Sequence, residues 1–188
     1  MIPQQLLSGV PVPTLYLTPD DATYHALIDY ERGGTALHDA GTGMNVRTWR
    51  LFLDGNDVKI DASGVAAAIE FSGADITELS LAFDQNMNPV IAYVQASAAK
   101  LYYYDTVLEA YTHLTLAAGV TSPRVCLDDK RALQNAASDV ILAYLRAGNL
   151  YFRAQRDRYL VEYLLKTGVS DPLRKVGMNK GNRLQFEF

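Results

Sequence analysis

Apolar and polar residues alternate with period two through much of this chain. The last six residues, RLQFEF (183–188), set Leu184, Phe186 and Phe188 on one face and Arg183, Gln185 and Glu187 on the other. That spacing predicts a half-buried strand. Alternation also runs through AAAIEF (66–71) and TELSLAF (77–83). VRTWRLFLDGNDVKIDAS (46–63) predicts a hairpin, because Asp54-Gly55 or Gly55-Asn56 supplies the positive φ that a tight turn needs. PVIAYVQASAAKLYYYD (89–105) and DVILAYLRAGNLYFRAQRDR (139–158) each read as two facing strands joined by a tight turn, and GVTSPRVCLDD (119–129) holds one more short strand. Helix signals are sparse. A short helix is expected over 130–137, and VLEAYTHL (107–114) and YLVEYLLK (159–166) admit at most short helices. With 12 Tyr among its residues the chain suits pleated surfaces, and the fold class expected is all-β, built of antiparallel meanders.

The pattern repeats. LAFD (81–84) matches VCLD (125–128), VIAYV (90–94) matches ILAYL (141–145), and LYYYD (101–105) matches LYFRA (150–154). The Ala-Tyr pairs, Ala92-Tyr93 and Ala143-Tyr144, lie 51 residues apart, and the Leu-Tyr pairs, Leu101-Tyr102 and Leu150-Tyr151, lie 49 apart. Two copies are clear, at 81–105 and 125–154, with 46–83 as a candidate third. A period of about 40–50 residues made of meanders is the signature of propeller-like blades. One such unit cannot cover its own apolar face, so a neighbour must stack on it. So few copies do not close a ring, which leaves a sandwich-like domain or partial-propeller blades completed in an oligomer; the compact sandwich is the preferred reading.

Residues 1–22 carry four of the seven prolines and are expected to form an extended arm with one short strand at TLYL (14–17). Proline has no N–H to give a sheet, so such arms pair at an edge or wrap a neighbour. ERGGTALHDAGTG (31–43), with four glycines, reads as a loop. The remainder, 23–188, is expected to be a single β-rich domain, as the length of 188 residues suggests.

Composition adds one asymmetry. The net charge of −4 argues against general nucleic-acid binding. Residues 1–145 hold 8 Lys/Arg against 17 Asp/Glu, a net of −9, whereas residues 146–188 hold 9 against 4, a net of +5. This polarity suits head-to-tail contact between copies. Cys126 is the only cysteine, which excludes an intrachain disulfide and a cysteine metal cluster. No apolar run approaches the roughly 20 residues that cross a bilayer. MIPQQLLSGVPVPTLYL lacks a basic start and a clean apolar stretch, so no signal peptide is expected.

Candidate chemistry is thin. DQNMNP (84–89) imitates the start of a calcium loop but has Pro89 and Gln95 where the loop needs Gly and Glu, so an Asx-rich turn is the better reading. Cys126 aligns with Ala82 inside an apolar strand and reads as a small buried residue. His25, His38 and His113 lack metal-ligand spacing, and GTGMNV fails the dinucleotide fingerprint at its last position. Asp84 and Asp128 occupy equivalent repeat positions, which favours a turn role over a pair of catalytic acids. No catalytic residue, cofactor or metal is expected. In YFRAQRDRY (151–159), strand alternation puts Tyr151, Arg153, Gln155 and Asp157 on one side and Phe152, Ala154, Arg156 and Arg158 on the other. Tyr and Arg are enriched at protein interfaces. The candidate contact residues are therefore Tyr102, Tyr104, Arg153, Arg156 and Arg158.

DYERGGTAL (29–37), ITELSLAFDQNMNPVIAYVQ (76–95), KLYYYDT (100–106), SPRVCLDDKRALQ (122–134), SDVILAYLRAGNLYFRAQRDRYLVEYLL (138–165) and KVGMNKGNRLQFEF (175–188) together resemble a family of tailed-bacteriophage virion structural proteins, from about residue 29 onward. The resemblance implies a tail component without enzymatic activity (a ring, collar, nozzle or fibre-anchoring part), assembled in the bacterial host cytoplasm. The partners it implies are further copies of the chain and other virion tail proteins. It supplies no functional residues. The alternative is a receptor- or glycan-binding module of a tail fibre; a glycan depolymerase is the third reading.

Overall fold

The structure is a computed structural model that describes residues 26–31, 38–39, 43–44, 46–62, 65–84, 86, 88–128, 139–178 and 183–188. The expected arm (1–22) and the expected helix over 130–137 lie outside the described residues, as does His25. In chain order the strands are β1 (Ala26–Glu31), β2 (His38–Asp39), β3 (Gly43–Met44), β4 (Val46–Asp54), β5 (Asp57–Ala62), β6 (Val65–Ser72), β7 (Ile76–Phe83), β8 (Pro89–Gln95), β9 (Ala98–Asp105), β10 (Ala110–Thr115), β11 (Val120–Leu127), β12 (Val140–Arg146), β13 (Asn149–Ala154), β14 (Tyr163–Thr167), β15 (Lys175–Met178) and β16 (Leu184–Glu187). The fold is all-β and antiparallel. Among the described residues, helical backbone is confined to a single 3₁₀ turn at Gln155–Asp157. The runs at 107–114 and 159–166 are not helices: each is a turn or extended segment leading into a strand, β10 or β14.

Three four-stranded meanders carry the fold. Sheet 1 has the order β1-β4-β5-β6, sheet 2 β7-β8-β9-β10 and sheet 3 β11-β12-β13-β14. In each, a two-residue turn joins the second strand to the third, closed by the pairs Asp54↔Asp57, Gln95↔Ala98 and Arg146↔Asn149. Ala96 (φ 47°) with Ser97 (φ 65°), and Ala147 (φ 50°) with Gly148 (φ 72°), take positive φ at both turn positions, as a primed turn requires. The candidate third copy is real but shifted: it spans 26–72, and β7 is the first strand of the next sheet.

Register also corrects the repeat. Ala92 pairs with Leu101, and its equivalent Ala143 pairs with Phe152. Leu101 thus corresponds to Phe152, 51 residues on, and not to Leu150. A two-residue slip leaves every side chain on its own face, so period-two matching alone does not detect it.

Sheet 2 is buried on both faces. Phe83 packs on Trp49 of sheet 1 (5.1 Å between ring centroids), and Tyr93 and Tyr102 each lie 4.9 Å from Phe71. The residues between them face the other way. The Ser80 hydroxyl accepts a hydrogen bond from the Val125 N–H of sheet 3 (2.8 Å), and Tyr103 meets Tyr159 edge-on at 4.9 Å. That is why PVIAY of β8 is buried at every position instead of at every second one. Sheet 3 is covered in turn: Cys126, Ala143, Leu145 and Leu150 pack under Leu173 and Val176 and against Leu184, Phe186 and Phe188 of the β15–β16 hairpin. Arg124, buried on β11, ties the layers by donating to Glu78 (2.7 Å) on β7 and to the Arg174 carbonyl (3.1 Å) ahead of β15.

The outer face of the hairpin is polar, whereas that of sheet 1 mixes ion pairs with the exposed Ile69. On the outer side of sheet 1, Arg50 bridges to Asp61 and Lys59 to Asp54. On the hairpin, Arg183, Gln185 and Glu187 point to solvent while Leu184, Phe186 and Phe188 turn inward, the alternation expected from the sequence.

Candidate contact surface

The five residues expected at a contact surface sit in different surroundings. Tyr102 is buried: it stacks on Tyr111 (4.9 Å, 7° between ring planes) and donates to the Glu70 carbonyl (3.3 Å). Burial, with Glu70 nearby, pushes its phenol up to about 12. Tyr104 is half-buried, edge-on to Tyr111 at 5.3 Å. These rings, with Tyr93 and His113, fill the gap between β6 and β10; Tyr93 Oη lies 2.8 Å from His113 Nδ1, and burial lowers the His113 pKa.

Arg153 points inward. Its Nε donates to Tyr144 Oη (2.8 Å) and its Nη1 to the Tyr159 carbonyl (2.8 Å), while Glu162 lies 3.5 Å from Nη2. Tyr144 in turn donates to Glu162, and burial raises its phenol to about 12. Arg156 and Arg158 are not on a strand face, because β13 ends at Ala154 and the 3₁₀ turn intervenes. Arg156 clamps Asp139 through Nε and reaches Asp128 (3.3 Å), yet its side chain stays 64% exposed. Arg158 adopts a left-handed conformation (φ 52°) that turns its guanidinium onto Asp105 across the boundary between sheets 2 and 3. The contact set is thus mostly a set of internal ties, with Arg156 the most open to a partner.

Asp84 and Asp128 serve loops. Asp84 Oδ1 accepts from the Asn86 and Asn88 N–H groups (2.8 Å each), and Asp128 Oδ1 accepts from the Asp139 N–H (2.8 Å). Cys126 is fully buried under the hairpin. Among the described residues no group of three His, Cys, Asp or Glu side chains is placed to hold a metal ion, and no helix is long and apolar enough to cross a membrane. A cavity lies between β11, the β12–β13 turn and Val169–Pro172.

Apolar exposure concentrates elsewhere. Of the nine large apolar residues exposed among the described ones, Leu160, Val161, Tyr163, Leu164 and Leu165 run along and just ahead of β14, and Val107 and Leu108 lie in the β9–β10 turn. The Arg158–Asp105 bridge draws that turn against the 158–161 segment, since Asp105 Oδ1 also accepts from the Val107 and Leu108 N–H groups (2.9 and 3.2 Å). All five residues of β14 are exposed, and among the described residues β14 pairs only with β13. Arg156 and Arg158 border this region, each held in ion pairs with Asp128 and Asp139 or with Asp105. Sequence reasoning does not find the patch. Its signal is the doubled pairs Leu160-Val161 and Leu164-Leu165 in a run without alternation, which reads equally as buried helix or buried strand.

Comparison of the chain with protein-family models, with curated proteins and with solved structures yields no match.

Proposed function

We propose that the chain is a structural subunit of a bacteriophage tail, acting through contacts with other copies and other tail proteins. The observation that carries this reading is the apolar surface of β14 and the neighbouring turn. A strand edge with doubled leucines is what an obligate protein contact needs, and a monomer that stayed in solution would be expected to blunt it. The resemblance of six stretches from residue 29 onward to tailed-phage virion proteins supplies the kind of assembly. The polar outer face of the β15–β16 hairpin supports contact at sheet edges over further stacking of sheets on that side.

Electron microscopy of intact phage particles labelled with an antibody to the chain tests this. Density on the tail is the expected outcome; particles without label that assemble normally when the gene is deleted would overturn it. A second reading, glycan binding, draws on Tyr111, which is 41% exposed, stacked on Tyr102 and within reach of Asn88 Oδ1 (3.3 Å). A reproducible saccharide on a glycan array, lost in Tyr111→Ala, would favour that reading.

A further inference from the structure

Resting on that reading, we infer that the apolar surface at 107–108 and 160–165 is a two-fold contact with a second copy of the chain, each copy offering the same patch. The amount of surface fits. At about 200 Å² for a fully exposed residue of this size, the seven large apolar residues exposed in these two segments leave roughly 700 Å² uncovered. A stable pair takes about 600–1,000 Å² from each partner, and the largest apolar patch of a monomer is ordinarily about 300–600 Å². The alternation of β14 is interrupted within the patch. Tyr151 pairs with Leu164 and Leu150 with Lys166, which leaves Leu165 opposite no residue of β13, so both leucines add to the open surface.

Charge decides the symmetry. Most ions beside the patch are paired within the chain: Arg156 with Asp128 and Asp139, Arg158 with Asp105, and Glu162 with Arg146 and Arg153. A second copy of the same patch therefore meets no ring of unpaired like charges. Two exposed charged side chains outside these pairs stand at opposite ends. Glu109 follows Leu108 in the β9–β10 turn, which the Arg158–Asp105 bridge holds against the start of the patch. Lys166 lies at the far end, where β14 runs beside Leu150 toward the β12–β13 turn, and its Nζ sits 5.4 Å from the centre of the Phe188 ring. A two-fold axis through the middle of the patch, by Leu160 and Val161, brings Glu109 of each copy to Lys166 of the other and lays apolar side chains on apolar side chains between them. The contact is isologous, and the division of net charge along the chain does not set it.

Cross-linking of the full-length chain tests the symmetry, and sedimentation velocity measures the association. Glu109→Cys and Lys166→Cys are made singly and together and treated with a short bis-maleimide; both positions are exposed, and Cys126, fully buried, does not interfere. The expected result is a wild type that sediments as a dimer, single variants that give no covalent product, and a double variant that is linked into a covalent dimer and stops there. Glu109→Lys should weaken the dimer about fivefold at low salt, and Lys166→Glu added in the same chain should restore it. A wild type that is monomeric at every concentration, a ladder beyond the dimer, a double variant left unlinked, a covalent dimer from either single variant, or a charge swap that fails to restore association would each overturn the inference. Incorporation into particles is read separately, so a monomeric chain that still labels the tail rejects the two-fold contact and leaves the tail role standing.

Discussion

Arg158 and Asp105 join the second and third sheets: Arg158 Nη2 and Nε lie 2.7 and 3.1 Å from Asp105 Oδ2. The carboxylate is almost fully shielded at 1% exposure, whereas the guanidinium is 40% exposed. The Arg158 guanidinium holds the Asp105 pKa below its usual value of 3.8, and the Val107 and Leu108 N–H groups lower it further. A depressed carboxylate stabilises the fold above its unfolded pKa and loses that contribution as pH falls through the folded value. Thermal melts should therefore fall as pH drops below about 4 in the wild type. Asp105→Asn should melt lower at pH 7 and show a flatter decline below that point; parallel curves for the two proteins would reject the assignment. Arg158→Glu should also melt lower, because it sets two carboxylates together at a sheet boundary.

Ile91 and Ala92 are adjacent on β8, both fully buried, and face opposite neighbours. Ile91→Ala should cost about 2–5 kcal/mol by leaving a cavity toward sheet 1. Ala92→Leu should cost about 1–3 kcal/mol by overfilling the contact with sheet 3. Denaturant unfolding measures both. A sheet with one face in water would tolerate one of the two changes, so neutrality of either would rule out the three-layer arrangement.

Tyr93 and Tyr144 are repeat equivalents with unequal partners. Tyr93 meets one imidazole, whereas Tyr144 sits between Glu162 and Arg153. Tyr144→Phe should cost about 1–3 kcal/mol, as it leaves charged groups short of a partner. Tyr93→Phe should cost about 0.5–1.5 kcal/mol, the ordinary value for one neutral hydrogen bond. Equal losses in chemical denaturation would mean the Glu162–Arg153 pair closes up without the hydroxyl.

Leu164 is 55% exposed on β14, which among the described residues is an edge strand. On the proposed contact between copies, Leu164→Glu should leave the unfolding free energy within about 0.5 kcal/mol of wild type while abolishing that association in sedimentation velocity. A folded variant that associates as the wild type does would remove β14 from the contact surface.

The all-β class is legible in the chain because period-two alternation and two-residue turns are local properties. The pairs Ala92-Tyr93 and Ala143-Tyr144 are legible for the same reason: each places a small residue toward one neighbour and a large one toward the other. β1 is not legible, since LIDYE carries no turn signal after it that separates it from the glycine-rich loop. Nor does alternation reveal how many faces of a sheet are covered. LYYYD tells that Tyr102 and Tyr104 share a face opposite Tyr103, but only the arrival of Phe71 on one side and Tyr159 on the other buries two of them. Arg156 and Arg158 share a face in the alternation, opposite Arg153, and separate in space onto Asp139 and Asp105, because the 3₁₀ turn after Ala154 breaks the strand geometry that the alternation assumed.

The double burial of sheet 2 bears on how the chain is made. Residues 76–115 leave the ribosome with sheet 1 already available to cover Phe83 and Tyr102, but the side bearing Ser80, Ala92 and Tyr103 must wait for residues 120–167. Until then the nascent chain displays a bare apolar plane, and any pause in that interval would be the moment when it is open to chaperones or to misassembly with a sister chain on the same message.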